Sequence, residues 1–334
     1  MSDDQWTVDE LLGELRARER ARSAAVAAPG AMPADVSETA AAGVTPRFRK
    51  ISELSSAELA SLVNAQQRGI YGVDNRHDIR DVTDARALAL ADCSVALVET
   101  ADLQAKAGGA WTLKTTSYKK EYRLCAQEPF VDQPLGCFCS GVLVAEDVIA
   151  TAGHCVKSTA DLAHVRFVFG FRMIDATHAR TDFGPDDVYA GQEVIGRQYT
   201  PDGTDWALVR LDRPAVGRRP VALRRDGRVP NGEPLFVIGH PCGLPQKFAA
   251  GATVRSNAPS AYFVANLDTY GGNSGSPVFS GHSYALEGLL VRGQKDFVST
   301  GHCNVSLVFP TTGAGGEDVT RSTEWAAQVK PKQP

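Results

Sequence analysis

The sequence predicts an all-β barrel fold for its larger part, from about residue 94 to residue 310, on three observations. The text there is a series of short apolar runs: SVALVE, GVLVAEDVIA, HVRFVFG, WALVRL, PLFVIG, GATVRS, YFVANL, SPVFS, ALEGLLVRG and NVSLVFP. Glycine, proline, asparagine and aspartate separate them at the spacing of turns. With 334 residues, 43% hydrophobic and 22% charged, the chain has enough apolar material for one or two substantial cores. A net charge of -4 supplies no electrostatic reason to expect nucleic acid or an anionic membrane as partner. No apolar run approaches the ~20 residues that a membrane-spanning helix needs.

Ahead of the barrel text the chain reads differently. Its first residues, MSDDQWTVDELLGEL, are acidic where a secretory signal would be basic, and they lack the apolar stretch of one. If Met1 is the natural start, ordinary signal-peptide export is not expected. Residues 1–21 read as a short amphipathic helix, because Trp6, Val8, Leu11, Leu12 and Leu15 recur at helical spacing before the charged run RARERAR. Its plain role is a solvated helix docked on the body; its sharper one is to bind a partner. Residues 22–46, Ala-rich with Pro, Gly and Ser and no aromatics, read as a flexible linker. Residues 47–68 form a second predicted helix. There Ser55 and Glu58 can cap each other's backbone, Leu54 can pack on Leu59, and Gly69 can end the helix.

The segment IYGVDNRHDIRDV gathers His77 with Asp74, Asp78 and Asp81. With no second ligand pair at a recognised spacing, it is read as a solvated polar loop, not as a metal site. Further on, RLDRPAVGRRPVALRR reads as the crossing between two halves, and its arginines from Arg218 to Arg228 as a solvated loop.

Three runs carry the candidate chemistry. In YGGNSGSPV, Ser274 stands among Gly271, Gly272 and Gly275, where the backbone can take angles closed to other residues; the N–H groups of Gly272 and Ser274 could then converge on one oxygen. Taken alone, this is also how an ordinary turn reads. In VIATAGHCV an apolar strand delivers His154 at a turn, and in TDWALVRL Asp205 leads a strand. A serine needs a base to become a nucleophile, and a base needs an orienting group. Single histidines are commonly structural, so the weight lies in all three runs occurring together in the order His, Asp, Ser.

On these motifs the sequence resembles the trypsin/chymotrypsin-like serine protease family from about Gly69 onward, and within it the bacterial branch that includes glutamyl endopeptidases. The text at 70–82 is similar to the lead-in of that branch. The resemblance implies two six-stranded antiparallel barrels, one over about 90–212 and one over about 220–310, within a protease domain at 69–334 that carries a helical N-terminal extension. It implies His154 as general base and then acid, Asp205 as its orienter, Ser274 as nucleophile, and an oxyanion hole from the Gly272 and Ser274 amides. The implied activity is serine endopeptidase acting on protein or peptide substrates, with no metal or cofactor. The alternative is a catalytically silent protein that keeps the fold as a scaffold.

The resemblance further implies a disulfide between Cys139 and Cys155, worth roughly 3 kcal/mol in the chain-entropy treatment. A zinc site from Cys137, Cys139, His154 and Cys155 would consume the proposed base and lacks a paired CxxC arrangement. The count of seven cysteines leaves at least one thiol free or joined to another chain; partners for Cys93, Cys125, Cys137, Cys242 and Cys303 are not assigned. For specificity, Asp268 occupies the position at which trypsin-like members select Lys or Arg, which implies cleavage after such residues; the alternative is that Asp268 faces away as a structural residue. Leu290 stands where glutamate-selective relatives carry histidine. Arg292, two residues on, is expected either to pair with Asp268 or to bind an acidic residue of the substrate. Asn273 is uncharged where digestive trypsins carry the aspartate that pairs with a released amino terminus, so that switch is not expected in its usual form; residues before about 69 are read as a removable prosegment or a regulatory arm.

Overall fold

The computed structural model describes residues 70–200, 203–292, 296–311 and 315–329. The two predicted helices at 1–21 and 47–68 and the linker between them lie outside the described residues. Within those described, the helices are short, α1 at Ala85–Ala91 and α2 at Tyr118–Glu121, and none is long and apolar enough to cross a membrane.

Twelve strands make two closed barrels. The first holds β1 (Ser94–Glu99), β2 (Cys139–Ala145), β3 (Val148–Thr151), β4 (Val165–Phe169), β5 (Val188–Tyr199) and β6 (Asp205–Leu211). They pair antiparallel in the ring β4-β5-β6-β3-β2-β1, which β1 and β4 close. The second holds β7 (Pro234–Gly239), β8 (Lys247–Ser256), β9 (Tyr262–Ala265), β10 (Pro277–Ser280), β11 (Leu286–Arg292) and β12 (Glu317–Arg321), in the ring β7-β10-β11-β12-β9-β8. Pairing of β7 with β8 closes it. Closure gives every strand of a ring two neighbours.

Side-chain alternation explains why most of these strands read as continuous apolar runs. In β7, Leu235 and Val237 point into the interior of the second barrel, with Phe263, Leu290 and Val319. Their neighbours Phe236 and Ile238 point the other way and join Val142, Leu208 and Phe279 in the core that runs through the first barrel and across to the second. Successive residues of a strand face opposite sides, so a strand at this seam is buried on both.

Two barrel strands differ from the sequence expectation. β5 is half-exposed over most of its length, and two irregularities in its register with β6 break its alternation. β12, EDVTR, closes the second barrel past residue 310, although Val319 is its one apolar side chain. The run NVSLVFP instead forms small side ladders: Asn304–Ser306 pairs with Phe297–Ser299, and Val308–Phe309 pairs parallel with Ile70–Tyr71.

The segment expected as a solvated loop is built into the second barrel. Arg76–Asp78 adds a strand to the outer side of β8. Asp78 and Lys247 are both buried and meet at 2.6 Å, and Gln133 Oε1 and the Pro245 carbonyl take the other ammonium protons at 2.7 Å each. Arginines of the crossing are likewise held, Arg218 on Asp187 and Arg224 on buried Glu287.

Disulfides join Cys139 to Cys155 and Cys125 to Cys303; Cys93, Cys137 and Cys242 carry free thiols. The second bridge spans 178 residues and ties the segment after α2 to the loop that leads toward β12. Replacing Cys125 and Cys303 together by serine is expected to lower unfolding free energy by about 2–5 kcal/mol, because the unfolded chain regains the entropy of a long closed loop. A denaturant titration without reductant checks this, and a loss under about 0.5 kcal/mol would contradict it.

Candidate functional site

Strand ends carry His154 and Asp205 to the seam between the barrels, and an irregular stretch brings the Ser274 backbone there. β3 ends at Thr151, and the turn after it carries His154; Arg197 of β5 fixes that turn by donating its Nε proton to the Gly153 carbonyl at 2.6 Å. Asp205 opens β6 and is 1% exposed. Its Oδ2 lies 2.6 Å from His154 Nδ1, and its Oδ1 accepts the His154 backbone N–H at 3.1 Å. One buried carboxylate thus grips both the ring and the backbone of the histidine, which places the proton on Nδ1 and leaves Nε2 facing outward. Asp205 is itself tied across the seam, its N–H donating to Thr320 Oγ1 on β12 at 3.2 Å.

Ser274 sits in an irregular stretch, 266–276, between β9 and β10. Asn273 N–H donates to the Tyr270 carbonyl at 3.1 Å, with Gly272 at φ +83°, the pattern of a type II turn, which requires a glycine-like third residue. A Cβ on Gly272 would lie 2.8 Å from the Gly243 nitrogen. Gly275, also at φ +83°, packs against the end of β3, where a Cβ would meet the Ser140 carbonyl at 2.2 Å and Thr151 Oγ1 at 2.4 Å. That contact brings the serine backbone beside the histidine turn, with Cys155 Sγ 3.7 Å from the Ser274 carbonyl. Among the described residues, the N–H groups of Gly272 and Ser274 donate to no protein acceptor. Asn273 is buried, and its side-chain oxygen accepts from Ser276 Oγ at 3.2 Å.

Ser140, which the sequence reading passed over, is the hub between the barrels. Its N–H donates to the Ser274 carbonyl at 2.8 Å and its hydroxyl to the Gly272 carbonyl at 3.1 Å, while the His240 N–H donates to that hydroxyl at 3.0 Å. Its position one residue after Cys139, in the run that opens β2, was the only signal available. His240 is fully enclosed and stacks on Phe171; its Nδ1 donates to the Leu244 carbonyl at 2.9 Å. Burial pulls its pKa down to about 4, so it stays neutral near pH 7.

Two expected substrate contacts are corrected. Asp268 is 4% exposed, and both of its oxygens are taken by the chain itself: Oδ1 accepts Tyr71 N–H at 2.7 Å and Oδ2 accepts Asn75 N–H at 2.9 Å. Burial pushes this carboxyl above its ordinary range, against the pull of the two amides. A carboxylate so enclosed and satisfied is not presented to a lysine or arginine of a substrate. Arg292 does not meet Asp268. Its Nε donates to Asp318 at 2.9 Å, its Nη2 to the Gly203 carbonyl at 2.9 Å, and its guanidinium lies over the Tyr262 ring.

The donor atoms of Cys139, His154 and Cys155 lie within 4.8 Å of one another, but the two sulfurs are joined and His154 Nδ1 is engaged by Asp205. This set offers no thiolate to a metal. A cavity of about 380 Å³ opens beside Gly272, walled by Gly136, Cys137, Phe138 and Cys242, with Glu99 and Lys114 at its rim.

Comparison with known proteins gives the following. Residues 139–288 match the trypsin-like peptidase domain family. A protein named secreted RxLR effector protein 73, from Plasmopara viticola, is 31% identical over 170 residues, 46% of this chain and 40% of that protein. The chain therefore spans well under half the length of this curated relative. Among solved structures, the Vibrio cholerae VesB protease aligns at a TM-score of 0.46 and 17% identity, over 77% of this chain and 67% of that one. A TM-score of that size does not by itself establish a shared fold.

Proposed function

We propose that the protein is a trypsin-like serine endopeptidase that cleaves peptide bonds through Ser274, His154 and Asp205. The observation that carries this reading is the double grip of buried Asp205 on His154, at 2.6 and 3.1 Å, beside a serine turn packed on the histidine's own loop. The peptidase-domain match over 139–288 supports it, since that span includes all three residues.

In the proposed mechanism Ser274 Oγ attacks the scissile carbonyl carbon while His154 Nε2 takes its proton. Asp205 holds the ring in the one tautomer that leaves Nε2 able to accept, and offsets the positive charge that develops on it. The carbonyl oxygen becomes an anion and receives the N–H groups of Gly272 and Ser274, which donate to no protein acceptor among the described residues. Collapse of the tetrahedral species expels the amine, which takes the proton back from His154. Water then enters by the same route and releases the acyl group. The cavity beside Gly272 receives a neighbouring part of the peptide. Asp268 and Arg292 take no part in selecting its side chain.

A fluorophosphonate probe tests the reading. Labelling of the native protein that is lost in Ser274→Ala is expected. Absence of labelling on folded wild-type protein would overturn the proposal in favour of a silent scaffold that retains the fold.

A further inference from the structure

The enclosed position of Asp268 has a physical cause. Residues 266–276 carry the serine turn, yet they belong to no strand, and 266–270 are buried throughout. Buried backbone and polar groups outside a ladder must find partners elsewhere. Much of what they find comes from one segment nearly 200 positions away in the sequence.

That segment is 70–78. Its Tyr71 and Asn75 amides close on the two oxygens of Asp268. Its Arg76, with a side chain 1% exposed, is held by Asp74 at 2.9 and 2.7 Å and lies over the Tyr270 ring, 4.1 Å from the centroid. The Phe130 ring lies 5.4 Å from the guanidinium carbon, and Nη2 reaches the Tyr270 hydroxyl at 3.4 Å. Tyr270 is also tied to Ser306 through that hydroxyl, at 2.5 Å, and its carbonyl accepts the amide of Asn273. The segment is itself anchored at both ends, by the parallel pairing of Ile70–Tyr71 with Val308–Phe309 and by the Asp78–Lys247 ion pair.

We infer that residues 70–78 form a clamp on the serine turn, with Asp268 and Arg76 as positioning residues that keep the Gly272 and Ser274 amides aimed at a common point. This rests on the serine endopeptidase reading. It assigns to Asp268 the work of shaping the turn, and it makes reactivity depend on whether 70–78 stays seated. A carboxyl spanning two amides, and a planar cation stacked on the Tyr270 ring, resist the sliding that would turn either amide away.

The test uses the full chain. Wild-type labelling by the fluorophosphonate probe establishes that the serine is reactive. Asp268→Ala and Arg76→Met are then expected to be labelled roughly 10- to 100-fold more slowly. That is less than the 10²–10³ attributed to deleting one oxyanion donor, because the amides are displaced, not lost. Asp268→Asn, which keeps one acceptor, should fall between. The low-field proton resonance of the His154–Asp205 pair should persist in all three, showing that the first barrel is intact. Cleavage-site preference on a peptide library should not move. Labelling within about twofold of wild type in folded variants would overturn the clamp, as would a changed cleavage preference at unchanged rate, which would return Asp268 to substrate selection.

Should the variants fail to fold, or should wild type prove unreactive, amide exchange in the wild-type protein decides. Protection of Tyr71 and Asn75 at least as long as that of Asn273 supports the clamp, and exchange faster by about a hundredfold removes it.

Discussion

Ser274→Ala is expected to lower turnover by on the order of a million-fold while leaving the fold in place. The magnitude follows from what is removed. Without the hydroxyl no acyl-enzyme forms, and His154 has no proton to relay; residual hydrolysis would come only from water attacking a carbonyl held by the Gly272 and Ser274 amides. Those amides belong to the backbone and stay where Ser140 and Leu290 hold them, the former through the Ser274 and Gly272 carbonyls and the latter by accepting Gly275 N–H at 2.6 Å. Burst kinetics with an ester substrate check the claim: a burst equal to enzyme concentration in wild type and none in the variant. A burst that survives in Ser274→Ala would place the nucleophile elsewhere.

Asp205→Asn is expected to cost about 10⁴ in turnover with little change in substrate binding. Asp205 accepts two protons from His154, one from the ring and one from the backbone. An amide in its place can accept only one of these through its oxygen; its nitrogen is a donor. If the oxygen stays on the His154 backbone, the amide nitrogen faces Nδ1 and forces the proton onto Nε2, the wrong tautomer for a base. The effect should appear in kcat and hardly in KM, since Asp205 is buried and bonded to the histidine. A loss below about tenfold would mean that His154 acts without its partner. A loss mainly in KM would move Asp205 out of the proton relay. The tie of β6 to Thr320 should survive, because it is donated by the Asp205 backbone N–H, which the substitution keeps.

The barrel strands show how far local pattern reaches. Runs such as VIA in β3 and LFVI in β7 were legible because both their faces are buried, one in a barrel interior and one in the seam, so burial wrote itself as continuous apolar text. β5 and β12 were not legible for the opposite reason. Their places in the rings are set by hydrogen bonds to neighbours, which any side chain can make, and their exposed or polar-lined faces left no apolar rhythm. The polar reading of 74–81 erred in the same way. Asp78 and Lys247 are ordinary surface residues by type, and only their meeting at 2.6 Å makes them interior.

Local pattern sufficed for the all-β class, for the strand-end and turn motifs that hold His154, Asp205 and Ser274, and for the glycines that turn requires, because these depend on residues within a few positions of one another. Long-range packing alone set Asp268 against the amides of Tyr71 and Asn75, bound Arg292 to Asp318, and made Ser140 the link between the two halves at the serine turn. A side chain's chemistry is local, but which partner satisfies it is settled by chain closure over distances of up to about 200 residues, and no pattern along the sequence carries that information.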